Sequence, residues 1–125
     1  MITVKERDYK SCGYKIEKDA VKVVLTFKGF LSGKDMNDFV NDYNEVKASV
    51  NVKDTILVLD CTLLKVFPKN IEEDLGKFYV DYTQFKKVYA ITLDNVTVKL
   101  QMERMWRKNN ISDKFTFISS LNEAK

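Results

Sequence analysis

The chain has 125 residues, 45% hydrophobic and 31% charged, with one proline and four glycines, the composition of an ordered globular domain rather than a disordered or fibrous chain. Lysine supplies 18 of its 21 cations and is spread along the whole sequence, for a net charge of +3; without an arginine-rich basic face, nucleic-acid binding is not expected. The absence of histidine removes the commonest general base and metal ligand near neutral pH, and Cys12 and Cys61 lack the CxxC spacing of zinc or dithiol chemistry.

A single domain over residues 1–125 is expected, cytoplasmic and without membrane contact, since the sequence carries no charged-then-apolar leader, no apolar run of spanning length and no lipidation motif. Met1 to Asp8 is polar and reads as a poorly ordered lead-in or an edge segment. Tyr14 and Ile16, then Val21, Val23, Leu25 and Phe27, alternate with polar residues, the period of two that marks strands with one buried face. Glu17-Lys18-Asp19-Ala20 breaks the alternation and predicts a hairpin.

Ser32 with Asp35 reads as a helix cap, and Met36, Phe39, Val40, Tyr43, Val46 and Val50 recur at helical spacing, predicting a first helix over 34–49. Thr55 to Asp60 is a run of apolar residues ending in an acid, the pattern of a central strand covered on both faces. The segment Cys61 to Asn70 then predicts a loop, placed where open α/β sheets engage ligands.

Asn70 with Glu73 repeats the cap pattern, and Ile71, Leu75, Phe78, Tyr79, Tyr82 and Phe85 predict a second helix over 70–85. Gly76 inside it costs about 1 kcal/mol relative to alanine and suggests close packing. Val88 to Leu93 is a further strand, and Val98, Met102, Met105 and Trp106 mark a third helix over 96–109. Phe115 to Ile118 is a last strand, and Ser120 with Glu123 opens a short terminal helix. The order β-β-α-β-α-β-α-β-α implies an α/β domain with a mixed, mostly parallel sheet of about five strands, an N-terminal hairpin and about three to four helices.

The segments Phe27-Lys28-Gly29-Phe30-Leu31-Ser32, Ile56 to Thr62, Val88 to Asn95 with Val98 and Leu100, and Phe115 to Ala124 with its Ser-Leu-x-Glu-Ala ending resemble the STAS domain, the fold of bacterial anti-sigma-factor antagonists and of the cytoplasmic tails of sulfate transporters. The resemblance spans roughly residues 14–124 and lies mainly in element order and apolar pattern. It implies a regulatory, protein-binding module. In regulatory members a serine or threonine at the start of helix two is phosphorylated, a position where added charge alters a contact surface. Here Pro68, Lys69, Asn70 and Ile71 fill that loop, no hydroxyl residue lies between Lys65 and Glu72, and Thr62 falls on the strand end instead. The resemblance is thus to a divergent member without the phospho-switch.

The candidate partner-binding residues are Val66, Phe67, Lys69, Asn70 and Tyr79, on the loop and on an aromatic arc of helix two that looks too wide for one sheet face to cover. The partner would be another protein or a second copy. A small apolar-ligand carrier is the alternative, with Met102 and Trp106 lining a pocket between sheet and helices. Asp60 and Asp94 end successive strands and would be the only basis for cation or proton chemistry; the simpler expectation is that each accepts a backbone N–H in its turn or caps a helix. Arg104, Arg107 and Lys108 suit the negative end of the third helix. No cofactor, metal or catalytic residue is expected.

Overall fold

A computed structural model describes residues 1–125. Six strands form one sheet in sequential order: β1 (Ile2–Asp8), β2 (Gly13–Lys18), β3 (Lys22–Gly29), β4 (Ile56–Leu64), β5 (Lys87–Ile91) and β6 (Phe115–Phe117). β1 to β3 pair antiparallel and β3 to β6 pair parallel. The three helices are α1 (Lys34–Ala48), α2 (Glu72–Tyr82) and α3 (Val96–Lys108). The fold is therefore α/β with a mostly parallel sheet after an antiparallel hairpin, as the alternation of periods predicts.

The count of about five strands is corrected to six, because Ile2–Asp8 pairs along β2 as an edge strand. Its side chains are largely exposed, so an edge strand held by backbone pairing and by charges on α1 leaves little apolar pattern to read. The two helix caps also differ from expectation. Gly33 precedes α1 and Ile71 precedes α2, neither with a side-chain cap, and the turn Lys69–Ile71 is a short 3₁₀ segment. Ser120 and Glu123 do form a reciprocal capping box, on a single 3₁₀ turn, Leu121–Glu123.

Sequential strand order with crossovers of one hand places every helix on the same face of the sheet. The main core accordingly unites Phe39, Tyr43 and Val46 of α1, Tyr79 and Tyr82 of α2, and Val98, Met102, Met105 and Trp106 of α3 with Leu57, Leu59, Val88 and Ala90 of the sheet. On the opposite face, Val24, Ile56, Val58 and Ile91 form a second cluster with Ala124. The central strand is covered on both faces, but by helices on one side and by the C-terminal turn on the other. Because the order never reverses, the sheet has no topological switch point, the crevice at which open α/β sheets usually hold a ligand.

Gly76 is buried where α2 meets α3. A Cβ there would lie 2.9 Å from the Asn109 side-chain amide, which itself donates to the Met105 carbonyl at 2.8 Å. The glycine lets the end of α3 approach α2, in line with the packing role expected of it.

Candidate functional site at the carboxyl rim of the sheet

The segment after the central strand is not a free loop. β4 runs on to Leu64, four residues past the acid at Asp60, and bulges opposite β3 so that Thr26 faces Asp60 while Lys28 faces Leu63. Its pairing with β5 ends at Asp60 opposite Ile91, which leaves later carbonyls beyond that ladder and in need of donors. Asn95 supplies one: its Nδ2 donates to the carbonyls of Cys61, Thr62 and Leu64 at 3.2, 3.2 and 2.7 Å. The Lys65 N–H donates to the Gly29 carbonyl at 2.9 Å. Gln101 then grips Phe67, accepting its N–H at 2.8 Å and donating to its carbonyl at 3.0 Å.

This pinning sorts the residues expected to meet a partner. Phe67 is turned inward and only 6% exposed, whereas Val66 is 51% exposed; Lys69 and Asn70 lie exposed on the 3₁₀ turn. Tyr79 is buried, like Tyr82 and Phe85. The aromatic arc of α2 is wider than the sheet alone would cover because its flanking helices share it. Tyr82 packs edge-on against Tyr43 of α1 at 5.5 Å between ring centroids, Phe78 lies 6.0 Å from Phe39, and Tyr79 meets Trp106 of α3 at 6.0 Å. The accessible part of the predicted surface is therefore Val66, Lys69 and Asn70. Leu63, Leu93, Val96 and Leu100 are also exposed.

Phe67 and Tyr79 instead help enclose an apolar cavity of about 50 Å³ between α1, α2 and the ends of β3 and β4, lined wholly by hydrophobic residues. It is far smaller than pockets for drug-sized ligands, about 300–1,000 Å³. Met102 and Trp106 do not line it. Met102 is fully buried, and the Trp106 indole stacks on Phe115 with centroids 4.4 Å apart, leaving its Nε1–H as an orphaned buried donor.

Asp60 Oδ1 accepts the Thr62 N–H at 3.2 Å, as the simpler expectation has it, whereas Asp94 is exposed and only its backbone carbonyl accepts, from the Val96 N–H at 2.9 Å. No group of three or more Cys, Asp or Glu side chains is placed to hold a metal ion. Arg104 is paired with Glu72, Nη2 to Oε1 at 2.6 Å, which ties α3 to α2. No helix is long and apolar enough to cross a membrane.

A second polar cluster lies at the other side of α1, facing the edge hairpin. The Asp42 carboxylate is buried and accepts hydrogen bonds from Arg7 Nε at 2.9 Å and from the Tyr14 hydroxyl. Tyr9 donates to Asp38 at 2.8 Å, Cys12 to Asp35 at 3.4 Å, and Lys5 pairs with Glu45 at 3.0 Å. Burial alone would raise the carboxyl pKa of Asp42, but the hydrogen bonds from Arg7 and Tyr14 and the charges of Arg7 and Lys5 outweigh it and hold the pKa below the ordinary value. This cluster escaped the sequence reading. Its signal is the acid spacing Asp35, Asp38, Asp42, Glu45, one helical stripe beside the apolar one.

No protein-family model matches the chain, and no curated protein matches it in sequence.

Proposed function

We propose that the chain is a non-catalytic protein-interaction domain of STAS-like fold, acting in the cytoplasm and binding a partner protein through the carboxyl rim around Val66, Lys69 and Asn70. The observation that carries this reading is the contrast within one short segment: Phe67 is locked inward by Gln101 and Asn95 holds the strand behind it, so that Val66 is held out into solvent. A pre-ordered loop loses little conformational entropy on binding. Val96 and Leu100 are exposed on α3, the helix that carries Gln101, and Lys65 and Lys69 flank Val66 in sequence.

The STAS-like part of the proposal draws support from the element order and from the Ser-Leu-x-Glu-Ala tail, whose serine and glutamate cap the last turn while its alanine packs under the sheet. Lacking a hydroxyl between Lys65 and Glu72, the module would bind without a phosphorylation switch at that loop. The test is affinity capture with the purified domain and with its Val66→Glu/Leu100→Glu variant, beside sedimentation velocity of each. A specific protein retained by the wild type and lost by the variant is expected. Equal capture by both, or capture by neither, overturns the assignment, and a concentration-dependent dimer sensitive to the variant identifies a second copy as the partner.

A further inference from the structure

Helix α3 is apolar on two sides. Val98, Met102, Met105 and Trp106 are buried in the main core, yet Val96 and Leu100, which helical spacing sets on the opposite side, are 58% and 60% exposed. Glu103 and Arg107 continue their stripe at the next two turns, and Lys99 borders it, its ammonium 4.8 Å over the Phe117 ring. Among the charged side chains of α3 only Arg104 is in an ion pair, with Glu72 of α2. Asp94, just before the helix, is exposed and unpaired as well.

The unpaired charges alternate along the chain: Asp94 negative, Lys99 positive, Glu103 negative, Arg107 positive. Read backwards, that order changes sign at every place. A second α3 lying antiparallel therefore meets opposite charge throughout, whereas a parallel one meets like charge throughout. The midpoints of Asp94 with Arg107 and of Lys99 with Glu103 both fall at residues 100–101, so the charge pattern and the exposed Leu100 share one centre.

We propose that the outer face of α3 is the interface of a two-fold homodimer, the helices antiparallel and the two Leu100 side chains in contact at the axis. Lys99 lies beside the partner's Glu103, and Asp94 beside the partner's Arg107, whose aliphatic stem covers Val96. In a two-fold contact each of these pairs is made twice, and the opposed helix dipoles add to the attraction. One helix face is a small contact, so the dimer is weak, with a dissociation constant on the order of 100 µM. The face uses neither Val66, Lys69 nor Asn70, and the inference goes beyond the rim reading without resting on it.

The experiment is sedimentation equilibrium of the full chain at low salt, from about 10 µM to about 1 mM. Lys99→Glu leaves the middle of the stripe with two acids and Glu103→Lys leaves it with two bases, so each variant alone should dimerise at least about tenfold more weakly than the wild type. An equimolar mixture of the two should recover the dimer, because every acid then faces a base, and that recovery also shows both variants to be folded. A wild type that stays monomeric throughout, dimerisation equal in the wild type and both variants, or a mixture that does not recover overturns the interface. Val66→Glu, on the segment after β4, should dimerise like the wild type. A dimer lost in Val66→Glu but kept in the two charge variants places the contact at the rim and overturns its assignment to α3.

Discussion

The side-chain amide of Gln101 matches both backbone groups of Phe67, its Oε1 taking the N–H at 2.8 Å and its Nε2 reaching the carbonyl at 3.0 Å. One α3 side chain thus stands in for the neighbouring strand that the segment lacks, and it fixes which face of the chain Phe67 presents. Gln101→Ala leaves both groups without a protein partner, and the expected loss of stability is about 1–3 kcal/mol. Urea denaturation measures it. Hydrogen exchange at the Phe67 amide should accelerate more than exchange in β4, because the rim loosens before the sheet does.

Gly29 ends β3 with φ of +71°, and a Cβ there would collide with the Ser11 carbonyl and crowd Cys12. Gly29→Ala therefore combines left-handed strain with a backbone clash that no rotamer relieves. A loss of about 2 kcal/mol or more is expected, read as a fall in urea midpoint. Gly33 also has positive φ, 55°, with ψ of −123°, but open space around it, so Gly33→Ala should cost only the conformational part, about 1–3 kcal/mol, and less than Gly29→Ala. Equal losses at the two sites would show that the clash contributes nothing.

These contrasts explain what the residue pattern could and could not disclose. Helix α1 and strands β2, β3 and β5 were legible because Phe39, Tyr43 and Val46 recur every third or fourth residue and Tyr14 and Ile16 alternate, and such periods survive whatever the helix or strand packs against. β1 was legible only as a lead-in or an edge segment and not as a paired strand, since Thr3, Lys5 and Arg7 owe their place to backbone pairing and to carboxylates on α1. The length of β4 was hidden for a similar reason: the carbonyls beyond Asp60 are satisfied by Asn95, distant in sequence. Tyr79 carried the right weight as an aromatic but the wrong side, because only the assembled fold shows α1 and α3 sharing the arc with the sheet.

Asp42 makes an acid-sensitive latch between α1 and the edge hairpin. Its folded-state pKa lies below the unfolded value of about 3.9, so its contribution to stability is fully present above that value. It is lost as the pH falls through the lower folded value and the carboxylate takes up a proton. Asp42→Asn should lower stability at pH 7 by about 1–3 kcal/mol, since Arg7 and Tyr14 lose a charged acceptor. The same variant should show a shallower decline between pH 5 and pH 2 than the wild type. Parallel acid limbs, measured by urea denaturation at each pH, would locate the acid sensitivity elsewhere.

Both thiols are poor nucleophiles in the folded chain. Burial pushes the Cys61 pKa up, with Asp60 adding repulsion, and burial together with the hydrogen bond to Asp35 raises that of Cys12. A thiol reacts as its thiolate, so an aromatic disulfide reagent at pH 8 should modify neither cysteine until denaturant is added, when both should react. Rapid reaction of Cys61 in native conditions would mean that the cavity it lines opens readily to solvent.

Ala124 is fully buried although it stands one residue from the end of the described chain, because the capping box of Ser120 and Glu123 turns the backbone under the sheet and sets its methyl against Val24, Ile56, Val58 and Ile91. The tail is held further by the Ile118 N–H on the Ala90 carbonyl at 2.9 Å and by Tyr89, whose hydroxyl donates to the Lys125 carbonyl at 2.9 Å. Ala124→Glu places an unpaired carboxylate in that cluster. Keeping it buried would cost about 3 kcal/mol or more, so the cheaper response is to release the tail and uncover the four apolar side chains. The variant should therefore keep its helix signal in circular dichroism yet bind a hydrophobic dye and sediment as larger species, because a bare apolar sheet face invites association. Ser120→Ala weakens the same turn by about 1 kcal/mol without adding charge and should give a smaller shift in the same direction. A monomeric, dye-silent Ala124→Glu variant would mean that the second sheet face does not depend on this tail for its cover.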